Sequence, residues 1–184
     1  MKTLLLLLII QLVGTVSWAN RYLDISTLQL QFRYEDTSVQ SKETVAYQSY
    51  STAYQMEMFR FGLLYSRHID TSGNVSLNID NEKKEYATSF GYQVFHTDTQ
   101  DKKINFDIFA QGHMGISQSQ VTTRLFGTSS MSSSSNILLG LGAAVIGRFS
   151  YLLLESDLDI LTASSYSPQF VPAVTFKIGA SIPF

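Results

Sequence analysis

The stretch LQLQFRYE, residues 28–35, alternates strictly between apolar and polar side chains. Leu28, Leu30, Phe32 and Tyr34 share one parity, and two glutamines, an arginine and a glutamate share the other. An α-helix would spread these residues around its axis, whereas a β-strand places the apolar side chains on one face and the polar ones on the other. The stretch therefore predicts a strand with one apolar and one polar face.

The same alternation is the dominant period of the rest of the chain after residue 20. It recurs in seven further segments: 58–65, 75–80, 85–94, 103–114, 137–145, 152–160 and 170–184. Repeated short segments of period two, separated by polar stretches, are typical of all-β domains. The sequence therefore predicts an all-β fold with eight strands.

Length, charge and cysteine content narrow the class of protein. The chain has 184 residues, which suits one domain, and a formal net charge of −2 without a basic run. That charge argues against a nucleic-acid partner. The absence of cysteine excludes disulfides, thiolate metal sites and thiol nucleophiles. We therefore expect no cofactor and no metal site.

The N-terminus has the features of a secretory signal peptide. One positive charge at Lys2 precedes an apolar run over residues 4–13, and small residues stand at Ser17 and Ala19. The run is too short for a membrane anchor, which needs about 20 apolar residues. We predict that residues 1–19 form a cleaved signal peptide and that residues 20–184 form the exported domain.

The direction of the two faces separates a soluble sandwich from a membrane barrel. In a sandwich the apolar side chains turn inward, whereas in a transmembrane barrel they face lipid. The polar face here is small and of mixed charge, which suits a narrow interior with paired charges. We expect a lumen charge network formed by Arg33, Arg60, Lys103, Asp107, Glu155, Asp157, Asp159 and Lys177. Barrel closure would place Arg33 and Lys177 beside the acids of strand seven.

The spacing between the segments adds a second argument for a membrane barrel. Numbered along the chain, three of the four odd connections, 36–54, 117–136 and 161–169, are longer than the even connections 67–74, 97–102 and 147–150, whereas the odd connection 81–84 is a short turn. The segments 36–54 and 117–136 are predicted as long polar loops. Long loops on one side and short turns on the other are typical of transmembrane barrels. The sequence therefore predicts an eight-stranded antiparallel transmembrane up-and-down β-barrel with both termini in the periplasm.

The last eight residues, KIGASIPF, resemble a known targeting pattern. Lys177, Gly179, Ile182 and Phe184 resemble the C-terminal assembly signal of outer-membrane β-barrel proteins of Gram-negative bacteria. The overall plan is similar to the small eight-stranded members of that family. The resemblance implies location in the bacterial outer membrane, recognition by the β-barrel insertion machinery, and contact with outer-membrane lipids and lipopolysaccharide.

Three functions are compatible with such a barrel. A structural or surface-interaction barrel would expose the predicted loops 36–54 and 117–136 to an extracellular ligand or a host surface. A narrow gated channel is the alternative, although eight strands enclose a space that side chains can fill. We favour a polar plug over a channel.

The third function, a lipid-modifying enzyme, has weak support in the sequence. His68 falls in a predicted periplasmic turn, and His96 lies at the periplasmic end of its strand. His113 and Ser117 share a face but lie about 13 Å apart along a strand, too far for nucleophile activation. We therefore predict no catalytic residues and no enzymatic activity.

Overall fold

The computed structural model describes residues 21–36, 42–73, 77–98, 104–126, 128–163 and 170–183. These residues form eight β-strands in chain order: β1 Arg21–Asp36, β2 Lys42–Met56, β3 Phe59–Gly73, β4 Leu77–Asp98, β5 Ile104–Leu125, β6 Thr128–Phe149, β7 Leu152–Ala163 and β8 Phe170–Pro183. The predicted signal peptide and its cleavage site lie outside the described residues. No helix within the described ranges is long and apolar enough to cross a membrane.

The eight strands form a closed ring in which each strand pairs with its sequence neighbours. All pairs are antiparallel, and β1 pairs with β8 to complete the ring. The predicted fold class, an all-β up-and-down barrel of eight antiparallel strands, is confirmed. We call the end at which β1 begins and β8 ends the terminal end, and the opposite end the projecting end.

The predicted number of strands is right because two errors in the predicted boundaries cancel. The predicted loop 36–54 is wrong, since β2 occupies Lys42–Met56. Its outward face carries Gln48, Tyr50 and Thr52, and its inward face carries Tyr47 and two serines, Ser49 and Ser51. Neither face therefore has the apolar residues that would identify a strand. The predicted turn 81–84 is also wrong, because β4 runs without a break through it and joins two predicted strands.

The second predicted loop, 117–136, consists of the ends of β5 and β6. These two strands stay paired from Ile104 and Phe149 up to Leu125 and Thr128. The segment is rich in serine and polar on both faces. It therefore lacks the apolar–polar alternation that identifies a strand in the sequence, although its backbone hydrogen bonds are formed. The predicted loop asymmetry is therefore replaced by an asymmetry in strand length, because β4, β5 and β6 have 22 residues each.

The barrel is apolar outside and polar inside, the reverse of a soluble sandwich. Large apolar side chains face outward, including Leu141 with 74% exposure and Ile137 with 69%. The inward face buries charged side chains, among them Arg33, Arg148 and Glu85, each at most 1% exposed. A water-soluble protein would bury the first group and expose the second.

The outward apolar surface has the height of a bilayer core. On β6 it runs from Ile137 to Phe149, about 40 Å along the strand, or about 28 Å of height at a tilt of roughly 45°. Aromatic rows bound it. Tyr65 lies between Tyr50 and Tyr86 with ring centroids 6.4 and 5.2 Å away. At the other end, Phe59 and Tyr92 (5.7 Å) and Phe95 and Phe106 (6.4 Å) form similar contacts.

A β-bulge in β1 decides how the ring closes. The pairing of β1 with β8 shifts between Ser26 and Leu28. The bulge inverts the face parity, so that Asp24 and Ser26 point inward as Gln29 does. Opposite the bulge lies Gly179, where an added Cβ would lie 2.0 Å from the carbonyl oxygen of Ile25. A glycine is therefore required at this point of the seam.

We predict that Gly179→Ala destabilises the barrel by about 1–3 kcal/mol, because the new methyl group displaces the β1 backbone. Gly112→Ala is the matched control, since an added Cβ there meets its nearest atom, Leu141 Cδ2, at 3.6 Å. The free energy of unfolding in detergent, after refolding from urea without insertion machinery, measures both variants. Equal stability of the two variants would contradict the proposed role of the seam glycine.

Candidate functional site

The lumen holds three layers of buried charges. The layer nearest the terminal end centres on Arg148 of β6. Its Nη2 lies 2.7 Å from Asp24 Oδ2, its Nε lies 3.2 Å from Asp24 Oδ1, and its Nη1 pairs with Asp107. Gln55 accepts a further hydrogen bond at 2.6 Å, and the guanidinium carbon lies 4.4 Å from the ring centroid of Tyr22. Arg148 thus connects β1, β2, β5 and β6 across the interior.

The middle layer joins β3 with β7 and β8. Arg60 donates to both oxygens of Glu155, at 2.9 and 2.6 Å. Lys177 Nζ lies 2.6 Å from Glu155 Oε1 and 2.6 Å from Asp157 Oδ2. A second contact of Arg60, 3.3 Å from Asp24 Oδ2, links this layer to the terminal one. The two layers form one continuous network.

The upper layer, nearest the projecting end, joins β1 with β4. Arg33 makes a bidentate ion pair with Glu85, with Nη1 2.6 Å from Oε1 and Nη2 in contact with Oε2. Gln31 accepts from the same guanidinium at 3.1 and 2.7 Å. The guanidinium carbon lies 4.0 Å from the ring centroid of Tyr47, a favourable cation–π distance. Ser117 Oγ lies 3.4 Å from Glu85.

Two histidines complete the pairing of the carboxylates. His96 Nδ1 lies 2.6 Å from Asp107 Oδ1, and His113 Nε2 lies 3.0 Å from Asp159 Oδ1. Gln111 also donates to Asp159, at 3.1 Å. Charged groups that are removed from water need such partners, and the paired side chains reach across the lumen between its walls. A cavity of about 20 Å³ among them has room for about one water.

The structure extends the predicted charge network with three residues and changes the partner of one. Sequence reasoning missed Asp24 because the bulge inverts its parity, and Arg148 because it fell in a predicted turn. Glu85 was given the inward parity but not a place in the network. Arg33 pairs with Glu85, so it lies outside the cluster of strand-seven acids in which we expected it. Lys103 lies outside the described residues.

The residues of the predicted assembly signal sit on the closing strand. Lys177 points into the lumen, Gly179 faces the bulge and Ile182 faces outward. Phe184 lies outside the described residues. Lys177 and Gly179 each have a structural task in the barrel itself, as a partner of Glu155 and as the seam glycine.

The candidate enzyme residues are engaged in structural contacts. His68 is wrongly predicted as part of a turn. It lies on β3, with Nδ1 2.8 Å from the carbonyl oxygen of Ala46 and its ring 5.1 Å from that of Tyr47. His113 and Ser117 contact two different acids, Asp159 and Glu85. Among the described residues, no group of three or more His, Asp or Glu side chains could hold a metal ion.

A second candidate site lies beyond the apolar band. Residues 68–73 of β3, 77–85 of β4, 117–125 of β5 and 128–136 of β6 continue as a paired four-stranded sheet at the projecting end. We call it the projecting sheet. Its outward face turns polar directly above Tyr65, Tyr86 and Ile116, where the next row holds Arg67, Lys84, Gln118 and Ser135.

One edge of the projecting sheet is a long strand with a single partner. β6 pairs with β7 only from Leu138, opposite Ala163. Within the described residues, 128–135 therefore pair with β5 alone. This edge carries seven serine or threonine side chains and one methionine. It contains neither a charge nor a proline, the two features with which sheet edges usually block pairing.

Comparison with solved structures finds the same ring of strands in bacterial surface proteins. Ail, the attachment invasion locus protein of Yersinia pestis, matches with a TM-score of 0.61, covering 89% of this chain and 99% of that one at 11% identity. The same protein in complex with the heparin analogue sucrose octasulfate matches with a TM-score of 0.62, with the same coverage and identity. Neisserial surface protein A matches with a TM-score of 0.52 over 89% of this chain and 97% of that one, at 15% identity.

The chain has the fold of the eight-stranded outer-membrane β-barrels. At these identities the likeness concerns the fold alone. No protein-family model and no curated protein sequence matches the chain.

The lumen layers predict a pattern of energetic coupling. In double-mutant cycles, Arg60→Gln and Glu155→Gln should couple by about 0.5–3 kcal/mol because they share one ion pair. Arg33→Gln and Glu155→Gln should add, because Arg33 is held by Glu85. The free energy of unfolding in detergent measures both cycles. Each single variant should cost about 3–5 kcal/mol, since it leaves a buried charge unpaired. Equal coupling in the two cycles would refute the separate layers.

Proposed function

We propose that the chain is an outer-membrane barrel, exported with removal of residues 1–19, with its terminal end in the periplasm. The apolar band supports this, because its height of about 28 Å matches the outward band of about 25 Å in such barrels. The residues 177–184 support recognition by the insertion machinery. The outward leucines and phenylalanines point away from the barrel interior and form a large exposed apolar surface. A lipid environment would shield this surface from water.

We infer that the barrel itself is a structural support and not a conduit. The lumen is crossed by three layers of charge pairs that join opposite walls, such as Arg33 of β1 with Glu85 of β4 and Arg60 of β3 with Glu155 of β7. Opening a path would separate buried ion pairs, each at a cost of about 3–5 kcal/mol. This arrangement favours the polar plug over the gated channel.

We propose that the function lies in the projecting sheet, which recognises an extended polypeptide by strand addition at 128–135. The single observation that carries this proposal is that edge. Backbone N–H and C=O groups on the free side of an edge strand are a template for another strand. Small serine side chains leave that backbone accessible, and all residues over 128–135 are exposed.

The charge of the projecting sheet supports a polypeptide partner over a polyanion. Ail binds the heparin analogue sucrose octasulfate, which makes a sulfated ligand a natural comparison. The described side chains of this sheet, with Arg67 at its base, include four basic residues, Arg67, Lys83, Lys84 and Arg124, and four acidic ones, Asp70, Asp80, Glu82 and Glu85. Glu85 is buried in the lumen with Arg33. Arg67 and Lys84 pair with Glu82, and Arg124 pairs with Asp80. So balanced a surface does not favour a polysulfate.

A peptide-display experiment tests strand addition. Random peptides are selected on the full barrel in nanodiscs, and hydrogen exchange then locates the amides that the selected peptides protect. We predict protection within 128–135. The variant Ser130→Lys/Ser132→Lys places charges on the edge and should weaken these peptides at least about tenfold, or ~1.4 kcal/mol, because lysine blocks edge pairing.

The matched control is Val121→Lys/Thr123→Lys. These residues lie directly opposite Ser132 and Ser130 on β5, at the same height but on an interior strand. Edge pairing predicts that the control keeps its affinity. Equal losses in the two variants would mean that the peptides bind the face of the sheet, and protection outside 128–135 would contradict strand addition.

A further inference from the structure

A polar cleft lies on the outward face of the projecting sheet, directly beside the edge 128–135. The cleft has a volume of about 340 Å³. Side chains of three adjacent strands line it, namely Glu82 and Lys84 of β4, Gln118 and Gln120 of β5, and Ser133 and Ser135 of β6. Because the third of these strands is the edge itself, the cleft adjoins the position that an added strand would occupy.

Short side chains leave the cleft open toward the edge. Ser133 and Ser135 are both exposed, and a serine hydroxyl stands only one carbon away from the backbone. Neighbouring strands lie about 4.8 Å apart, so an added strand would lie about 10 Å from β5. A long side chain on its outward face can therefore pass over the serines and meet the amides of Gln118 and Gln120. The cleft is placed to receive one side chain of the added polypeptide.

The inner end of the cleft, on β4, carries an excess of positive charge. Arg67 Nε lies 2.7 Å from Glu82 Oε1, and Lys84 Nζ lies 3.0 Å from Glu82 Oε2. The hydrogen bond from Lys84, with that from Arg67, holds the pKa of Glu82 below its ordinary value. The carboxylate therefore stays ionised, and the three groups together carry one net positive charge. Lys84 is 35% exposed, which leaves its other N–H donors within reach of a ligand.

The remaining groups around the cleft do not offset this charge. The two glutamines and the two serines that line it are neutral. The nearest acid farther up the same face of β4, Asp80, is already engaged by Arg124 Nη2 at 3.5 Å and by Thr71 Oγ1 at 3.0 Å. Amide and ammonium N–H groups both donate to a carboxylate, and a single excess charge matches one carboxylate. The cleft therefore suits an acidic side chain better than a basic one.

We propose that the cleft is a specificity subsite for a glutamate side chain of the polypeptide that adds to the edge. This inference rests on the strand addition proposed above, and it names the chemistry of the partner. In strand addition the backbone hydrogen bonds provide affinity, whereas pockets for alternate side chains provide specificity. The partner is then an extended segment whose outward residue beside Ser133 or Ser135 is acidic and long enough to cross β6.

Selection from a random peptide library on the wild-type barrel and on two variants, all in nanodiscs, tests the subsite. The wild-type barrel should enrich glutamate at one position of the peptides. Lys84→Glu reverses the charge at the inner end of the cleft, and Gln118→Glu places a negative charge in the cleft without a change of size. Both variants should lose the preference for glutamate. Lys84→Glu should also raise the Kd of a peptide selected on the wild type about fivefold, as for exposed charge pairs.

The matched control is Arg124→Glu, which changes the net charge of the same face by the same amount as Lys84→Glu. Arg124 and Gln118 are six residues apart on β5, or about 20 Å. The control should keep the preference for glutamate and hold the Kd within about twofold. Glutamate enrichment that persists on either test variant, or an equal loss of affinity in the control, would overturn the subsite.

Hydrogen exchange separates this proposal from strand addition itself. Peptides that protect 128–135 but show no preference for glutamate overturn the subsite alone. Peptides that bind without protecting 128–135 contradict strand addition, and the subsite with it. Slower migration of each variant on detergent gels after boiling confirms that the barrel was folded before heating, so that a lost preference reports on the cleft.

Discussion

Bidentate ion pairs between opposite walls of the lumen are the interaction on which the rest of the barrel depends. A strand with an outward apolar face has only its inward face for charged side chains, because a lysine or arginine facing lipid at mid-depth costs about 2–4 kcal/mol. The narrow interior then desolvates these charges and forces them to pair. Arg148 with Asp24, Arg60 with Glu155 and Arg33 with Glu85 satisfy this requirement.

The same constraint separates a closed part of the molecule from an open one. Within the apolar band all eight strands have two neighbours, because lipid cannot hydrogen-bond a free strand edge. Above the band water can do so, and there, among the residues that the structure describes, 128–135 extend beyond the last pairing with β7. The position of the free edge follows from the solvent around it, and so does the change from Tyr86 and Ile116 to Lys84 and Gln118 on one continuous face.

The fold was predictable from the sequence because the alternation of apolar and polar residues along a strand is a local pattern. It identified segments such as 28–35 and 152–160 and the correct inward direction of Arg60 and Glu155. It failed where both faces are polar, as at 81–84 in β4 and at 128–136 in β6, since pairing there is decided by neighbouring strands. β2 was missed for a related reason, because serines and tyrosines alternate along it.

The site was less predictable. The position of a residue in the alternation shows whether its side chain faces the lumen, but not which side chain it pairs with. Arg33 and Glu85 are 52 positions apart in the chain and meet only through the closure of the ring. Asp24 could be assigned to the lumen only with knowledge of the bulge opposite Gly179. The projecting sheet arises from the register of β4, β5 and β6, which polar sequence does not specify.

Spin labels placed singly along β6 would test the central claim most directly, that one strand runs from a lipid-facing band into a free water-exposed edge. The chain has no cysteine, so each introduced cysteine is the sole label site. In nanodiscs, labels at the outward residues Leu139, Leu141 and Val145 should collide with oxygen more than with a water-soluble nickel complex, and labels at Ser129, Ser133 and Ser135 should show the reverse. High access of the nickel complex at Leu141, or low access at Ser133, would contradict the account.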